Sequence, residues 1–471
     1  MRPRIKQFPQ LSAAALKDEQ IQNNLLGLYN GFHKARIAAS EATPNWDELS
    51  DRGRAIKAHT IDNLDYYLEM VERTVTAAGG KVFFAKDAAE ATQYVIEVAK
   101  SRGVKVAIKA KSMVSEEMGL NQSLKEAGIE PVETDLGEYI IQLADETPFH
   151  IIAPAIHKSK AQVSDLFHEK LGTPQMTEIT DLAAEARRQL RKKFIEADMG
   201  ITGANFVVAE TGTVALVTNE GNGRMCTSMP KLHIAITGME KLIPSIEDLG
   251  VFLRLLIRSA TGQRITSYVT TITGPRKEDE EDGPDEFHLV LIDNGRNRLL
   301  ADPALRESLY CIRCGACLNA CPVYRKVGGH AYGWVYPGPI GAIISPMLTG
   351  LSDGKDLPYA STLCGACKEA CPVKINMPRM LLYMRNQLAE GANYPEHKTA
   401  SFGEAMTFKL WRLGLSSSLS LRVFSGLARL LQMPIVRNGR INKLPPPLSA
   451  WTRLRTLPAL ASKPFRKRWR E

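Results

Sequence analysis

Apolar positions in the first eighty residues recur at three- and four-residue steps. Leu25, Leu26, Tyr29 and Phe32 form one such set, and Leu64, Tyr67, Leu68 and Val71 another, so residues 10–80 are expected to be helical. From residue 81 the pattern changes to short apolar runs alternating with helical stretches. KVFFA precedes an Ala-rich helical run from Asp87, and KVAIKA precedes a helix near 115–128. PVET leads to a helix starting at Leu136, and FHIIAP reads as the next strand. Such alternation implies βαβ units and a parallel sheet. A second strand-rich set follows in NFVVAE, GTVALVT, HIAITG, ITSYVTTITG and FHLVLID, with the acidic EDEEDGPDE at 278–286 as a solvated loop. Past Asn294 the strand signals stop. Residues 305–390 read as helical fragments around cysteines, interrupted by the Gly/Pro-rich loop GGHAYGWVYPGPIG.

This pattern divides the chain into a helical segment 1–80, an α/β domain 81–300 with a parallel-rich sheet, an all-α cysteine domain 301–395 and a C-terminal region 396–471. Charge sharpens the last boundary. The net charge is +9, yet residues 396–471 carry 15 Lys/Arg against 3 Asp/Glu, which leaves 45 basic and 48 acidic residues in the rest. The basicity belongs to a helical tail containing LRVFSGLARLLQ, and bears on partners and surfaces rather than on fold. With 44% hydrophobic and 24% charged residues the 471-residue chain is globular, which excludes disorder and a disulfide mini-scaffold. The N-terminus lacks a secretory apolar run, and no stretch of about 18 uncharged apolar residues is present. A reducing cytoplasm is therefore expected.

Seven of the eight cysteines fall between 311 and 371. Crowding at short fixed spacings points to metal binding rather than to disulfides. The first run is Cys311-x2-Cys314-x2-Cys317-x3-Cys321-Pro322. The second, Cys364-x2-Cys367-x3-Cys371-Pro372, repeats it without the first cysteine. Spacings of three bring thiolates onto one tight turn, while the cysteine before proline points to the other cluster. The expected assignment is crossed: Cys311, Cys314, Cys317 and Cys371 hold one cluster, and Cys321, Cys364 and Cys367 the other. Zinc knuckles are the competing reading, but tetrahedral zinc has no use for this run. Counting back three from Cys364 lands on Ser361, so the second cluster is one thiolate short. Three outcomes stay open there: a 3Fe–4S centre, a serine-ligated iron, or an iron open to water or substrate. Cys226, isolated, reads as a buried inert thiol.

The α/β half offers weaker candidates. Lys109 and Lys111 lie two apart at a strand end, with Ser112 placed to cap the next helix; an anion cradle and solvated lysines fit equally. Glu133-Thr134-Asp135-Leu136-Gly137-Glu138 reads as a helix start. Glu210-Thr211-Gly212-Thr213 joins two apolar strands, where a carboxylate can be buried or simply paired at a turn. His150, His157 and His233 read as core or cap histidines. No G-x-G-x-x-G stands at a strand–helix junction, so nothing binds a dinucleotide by that signature.

Larger motifs carry a resemblance. They are ETDLGE at 133–138, PFHIIAPAIHK at 148–158, ITGANFVVAETGTVALVTNEGNGRM at 201–225 and KLHIAITG at 231–238, together with both cysteine runs and the tail from about 396. Through these the whole chain resembles the family of lactate-utilisation iron–sulfur proteins (LutB). The resemblance implies a lactate-utilisation (LUD) domain with the fold of the ribose-phosphate isomerase (NagB/RpiA) and CoA-transferase group, then a two-cluster ferredoxin-like domain. It implies Cys311, Cys314, Cys317, Cys321, Cys364, Cys367 and Cys371 as ligands, with no cysteine at the Ser361 position in that family either. It also implies a Cys-rich partner and a shorter LUD-domain partner in oxidising L-lactate to pyruvate. The catalytic glutamate of the CoA-transferase group does not carry over onto Glu210.

The leading expectation is an electron-transfer component of a lactate-oxidising system, not a stand-alone catalyst, with two 4Fe–4S-type clusters. A CoA- or acyl-transferase-like enzyme with structural or regulatory clusters is the alternative, and requires a reactive carboxylate. Nucleic acid is not an expected partner: the tail's arginines punctuate an apolar helix, which suits a partner protein or peripheral contact with the inner face of a membrane. The electron acceptor and the lactate-binding subunit are not legible in the sequence.

Overall fold

A computed structural model of the chain describes residues 3–446, 448–453 and 455–469. They fall into two units, Met1–His397 and Lys398–Glu471.

The first unit is built on six parallel strands. In chain order the strands of its α/β part are β1 (Lys81–Ala85), β2 (Val106–Lys109), β3 (Glu130–Glu133), β4 (Met199–Thr202), β5 (Phe206–Val208), β6 (Thr213–Thr218), β7 (Leu232–Gly238), β8 (Leu242–Ile243), β9 (Tyr268–Ile272) and β10 (Glu286–Ile292). The main sheet has the order β1-β10-β7-β4-β2-β3, and every pairing in it is parallel. Its central strand β7 is buried along its whole length, as expected of a strand covered on both faces. Short polar side chains start the crossover helices: Asp87 accepts from the Glu90 N–H, Ser112 from Ser115 and Asp135 from Glu138. Gly200 on β4 lets the helix Asn222–Ser228 lie on the sheet, because a Cβ there would fall 1.8 Å from the Cys226 carbonyl oxygen.

Most strand positions match the sequence pattern, but the second strand-rich set divides between two sheets: β7 and β10 join the main sheet and the others do not. β5, β6, β8 and β9 form a separate sheet of order β8-β5-β6-β9. Its β5–β6 hairpin turns at Gly212, whose φ of +68° and whose contact with the Thr74–Val75 backbone both exclude a side chain. The N-terminal helices Trp46–Asp62 and Leu64–Ala77 cover this region, with Val71 and Val75 packed on Phe287, Leu289 and Leu291.

FHIIAP is not a strand. Residues 149–154 form a buried loop whose Phe149 N–H donates to the Pro154 carbonyl at 2.9 Å. The loop is apolar because it plugs the cysteine region. Tyr324 donates its hydroxyl to the Phe149 carbonyl at 2.9 Å, and a Cβ on Gly329 would overlap that same oxygen. Beyond the sheets, Arg296–Ala301, Ala316–Ala320, Tyr324–Val327, Gly338–Thr349, Ala366–Ala370 and Met377–Glu390 are helices. One apolar core runs from Leu25 and Leu49 through Phe149, Phe206 and Phe252 to Cys314, Cys317, Tyr324 and Met384. The cysteine region thus shares its interior with the N-terminal helices and the second sheet.

The second unit pairs the helices Phe402–Leu415 and Ser418–Gln432, with Gly414 against the Phe424 ring. The expectation of a purely helical tail needs correction. Two-residue strands at Val436–Arg437, Arg440–Ile441 and Leu457–Pro458 form a small antiparallel sheet, turned by Asn438 and Gly439 in left-handed conformation. Runs this short carry no alternation for a sequence to display. Among the described residues no helix is long and apolar enough to cross a membrane.

Candidate metal centre and adjoining cavity

The two cysteine runs fold into near-copies of one local structure. In the first, Arg313 adopts φ +61° and donates its N–H to Cys311 Sγ at 3.4 Å; Gly315, at φ +75°, then starts the helix Ala316–Ala320. In the second, Leu363 adopts φ +56° and donates its N–H to Ser361 Oγ at 3.1 Å; Gly365, at φ +89°, starts Ala366–Ala370. Cys321 and Cys371 leave their helices with nearly equal backbone angles, φ −73° and ψ 121° against φ −77° and ψ 118°. Ser361 Oγ therefore stands in the turn where the first run has Cys311 Sγ. The two short helices pack on each other, which brings each run's last cysteine to the other run.

Cys311, Cys314, Cys317 and Cys371 line one small cavity, walled by Ile151, Ile312, Ile340 and Val373. Burial pushes the Cys314 thiol up to about 12. Burial also raises Cys317 well above the usual thiol range, with Cys311, Cys314 and Cys371 adding to it. Four thiols so placed ionise together only when cations hold them. Cys321, Cys364 and Cys367 make a second group: burial and then Cys321 raise Cys367 to about 11, whereas exposed Cys364 is lowered by a hydrogen bond from Thr362.

The spacing of the sulfurs tests which metal fits. Tetrahedral zinc with bonds of about 2.3 Å would draw its sulfurs to about 3.8 Å from one another. Among the described residues the only trio of His, Cys, Asp or Glu donors within 4.8 Å of each other is Glu146, His157 and His330, so no three cysteine sulfurs are that close. The array is too wide for one ion and suits a larger iron–sulfur unit.

Next to the cysteine cavity lies a second, larger one that is open to solvent. Its walls come from the carboxyl ends of the main strands, Lys111 and Ser112 after β2, Gly203 and Asn205 after β4, Thr237 on β7, and from Arg313 and Tyr336 of the cysteine region. Ile151 and Arg313 line both cavities. A buried charge network braces this wall. Arg296 donates to Glu117 at 2.9 and 3.0 Å and to Glu240 at 2.6 Å, Arg313 reaches Glu240 at 3.2 Å, and the Tyr336 hydroxyl donates to Glu117 at 2.6 Å. The Arg313 guanidinium also lies 4.6 Å over the Tyr336 ring. Burial alone would raise the Glu240 carboxyl, but Arg296, then Arg313 and Lys241, outweigh it and bring it down to about 2. Burial lowers Lys57 to about 7; its ammonium donates to the Glu240 and Leu242 carbonyls. Burial, reinforced by Arg313, lowers Lys241 to about 8.

The other candidates separate. Lys109 is fully buried and donates to Asn121 and Glu133, so it is neither solvated nor part of a free cradle. Lys111 donates to the Ile152 carbonyl at 2.6 Å. Asp135 caps its helix, and burial with neighbouring Glu133 raises Glu138, whose two oxygens have no partner, well above the usual carboxyl range. Of the two readings open for Glu210, buried or paired at a turn, the structure has the second: Glu210 is exposed, and its Oε2 accepts from the Ile246 N–H at 3.2 Å. His150 Nε2 lies 2.9 Å from Asn319 Oδ1, and His233 Nε2 2.9 Å from Thr202 Oγ1. His157 Nε2 lies 2.7 Å from Glu146. Cys226 is buried, with its thiol raised to about 12 by burial. Lys241, Glu240, Glu117 and Tyr336 carried no sequence signal. Only Arg313 stood in view, inside the first cysteine run.

Comparison with known proteins agrees with this geometry. A family model described as the LUD domain matches residues 68–292, one described as a 4Fe-4S dicluster domain matches 307–375, and one described as Lactate utilisation protein B, C-terminal, matches 390–471. A Lactate utilization protein B from Bacillus cytotoxicus is 45% identical over 466 residues, covering 99% of this chain and 97% of that protein. The chain belongs to the lactate utilization protein B family. A second family member, from Geobacillus sp. strain WCH70, is 47% identical over 446 residues, with coverage of 94% and 93%. A solved DUF162 family protein from Deinococcus radiodurans covers 49% of this chain and 98% of its own at 13% identity and a TM-score of 0.29, too low to bear on the fold. This member of the family combines a parallel-rich α/β LUD domain with a ferredoxin-like region that binds iron–sulfur clusters.

The buried network should be sensitive to loss of its centre. Arg296→Met leaves Glu117 and Glu240 buried without their main partner and is expected to cost about 3–5 kcal/mol, read as a fall in the thermal midpoint. Glu240 sits at about 2 in the folded chain against 4.5 unperturbed, so its contribution is fully present above 4.5 and is lost as pH falls through 2. Glu240→Gln should therefore flatten the acid limb of the stability profile measured by thermal melts across pH.

Proposed function

We propose that the chain is an iron–sulfur electron-transfer subunit of a multi-protein system that oxidises L-lactate to pyruvate. The arrangement of the cysteines carries this reading. On it, Cys311, Cys314, Cys317 and Cys371 hold one cluster inside the shared core, and Cys321, Cys364 and Cys367 hold a second beside exposed Cys364. Clusters so held supply one-electron transfer. The chain's own part is to keep the first site dry with Ile151, Ile340 and Val373, and to bring the second close to the surface where a partner can dock. The partners on this reading are a Cys-rich subunit and a shorter LUD-domain subunit; many relatives carry the name of a lactate utilization protein. The transferase alternative needs a reactive carboxylate, and Glu210, exposed and capping a helix, offers no special support for it.

Anaerobically purified chain should contain iron for two clusters and no stoichiometric zinc. Lactate should bleach its visible absorption only when the two partner subunits are present; turnover by the chain alone with a dye acceptor would falsify the reading.

Ser361 supplies a second test. Its hydroxyl holds the place of a thiolate but is a poor iron ligand, so the second cluster should lose one iron first on oxidation. Air-oxidised wild type should then give a 3Fe–4S resonance at low temperature, and Ser361→Cys should abolish it. Unchanged spectra in the variant would mean that another residue already completes the site.

The tail is assigned to docking on an acidic surface, a partner's or that of anionic lipid. Val423, Phe424, Leu427, Leu430 and Leu431 are 40–74% exposed on one helix that also carries Arg422 and Arg429. Removing 437–471 should weaken co-sedimentation with anionic vesicles and make the remainder less sensitive to salt; identical, salt-insensitive sedimentation would refute electrostatic docking.

A further inference from the structure

The cavity beside the cysteine centre contains positive charge that the chain's own carboxylates leave uncompensated. It opens outside the carboxyl ends of the parallel strands, at the place where the order reverses: β2 is flanked by β3 on one side and β4 on the other. In open parallel sheets such a crevice is where ligands bind. Its charged groups form two sets. Lys111 lies among Asp135 and Glu220 and already donates to the Ile152 carbonyl. Lys241 and Arg313 form the other set. Lys241 is 6% exposed and makes no hydrogen bond or ion pair among the described residues. Arg313 reaches Glu240 with one nitrogen, but its Nη1 is buried with no partner. Glu240 is in turn shared with Arg296, so the two cations divide part of one carboxylate. Both cations share Glu240 with Arg296 and face the Cys311 sulfur, so the carboxylates alone do not balance them, and an anion entering from solvent adds counter-charge.

Two more lining residues hold unused polar atoms, Thr237 Oγ1 and Asn222 Oδ1, and Ile151 and Ile236 supply an apolar wall. We propose that this cavity binds a small organic acid of the 2-hydroxy or 2-oxo class, its carboxylate on Lys241 and Arg313, its 2-oxygen accepting from the Thr237 hydroxyl and, in the hydroxy acid, its 2-hydroxyl donating to Asn222 Oδ1. Such a ligand would sit across the Ile151–Arg313 wall from the first cysteine group, at the buried end of the chain's redox region. The choice of acid rests on the lactate-system reading; the cavity and its cation pair do not.

The test uses the full chain with its clusters, under anaerobic conditions, titrated by calorimetry with pyruvate, L-lactate, propionate and inorganic phosphate. Pyruvate or L-lactate should bind saturably at one site per chain, more tightly than propionate, and should shift the resonance of one reduced cluster. Lys241→Gln should weaken that binding at least tenfold with iron content and ligand-free spectra unchanged. Thr237→Val, a conservative change, should remove the preference for pyruvate over propionate. No saturable binding of either acid to the wild type would overturn the proposal, as would tighter binding of phosphate. Undiminished binding in Lys241→Gln accompanied by a shifted cluster potential would overturn it too, since the cation would then serve only to balance the cluster. Reduction of the clusters by lactate and partners without any binding by this chain would sink the cavity assignment and leave the electron-transfer reading standing. Binding without reduction would do the reverse.

Discussion

The buried network around Arg296 is the constraint on which the rest of the molecule depends. Arg296 follows β10, Glu240 follows β7, and Glu117 sits on the helix after β2, so two crossovers of the main sheet and the exit from its last strand meet in one set of charges. Arg313 and Tyr336 join that set from the cysteine region. Charged side chains taken out of water must find each other in good geometry, and here they do so only if the first cysteine turn sits at one place on the sheet's carboxyl edge. The network thereby sets the position of Cys311 and Cys314 relative to the α/β domain. Apolar packing by the 149–152 loop completes the seal.

A consequence is that the cysteine region is not an appended module. Its four-cysteine cavity shares Ile151 and Arg313 with the open cavity of the LUD domain, and its core is continuous with the N-terminal helices. Depth also differs between the two cysteine groups. The first is enclosed by apolar side chains, while the second includes exposed Cys364. On the electron-transfer reading proposed above, that asymmetry would give the path one buried and one surface end, with the oxygen of Ser361 at the surface end.

Local and periodic features were legible in the sequence. Helix starts at Asp87, Ser112 and Asp135, the apolar runs of β1, β2, β7 and β10, and the repeated cysteine spacing all depend on residues within a few positions of one another. The Ser361 substitution was visible for the same reason: a spacing of three is a property of the chain, and the turn geometry at Leu363 follows it. Family resemblance added the rest of the domain plan.

Only the tertiary structure decided what each polar residue became. Lys109 and Lys111, two apart in the sequence, parted company: one was buried against Glu133, the other turned to the Ile152 carbonyl. Glu210 came to the surface, whereas Glu240, with no motif around it, became a buried carboxylate held by Arg296 and Arg313. FHIIAP looked like a strand because it is apolar, yet its apolarity serves a plug between two regions. Hydrophobic pattern records that a segment is buried, and spacing records what a turn can hold. Which charge meets which, and across how many strands, is settled by the order in which the sheet is assembled, and that order is written nowhere in the local sequence.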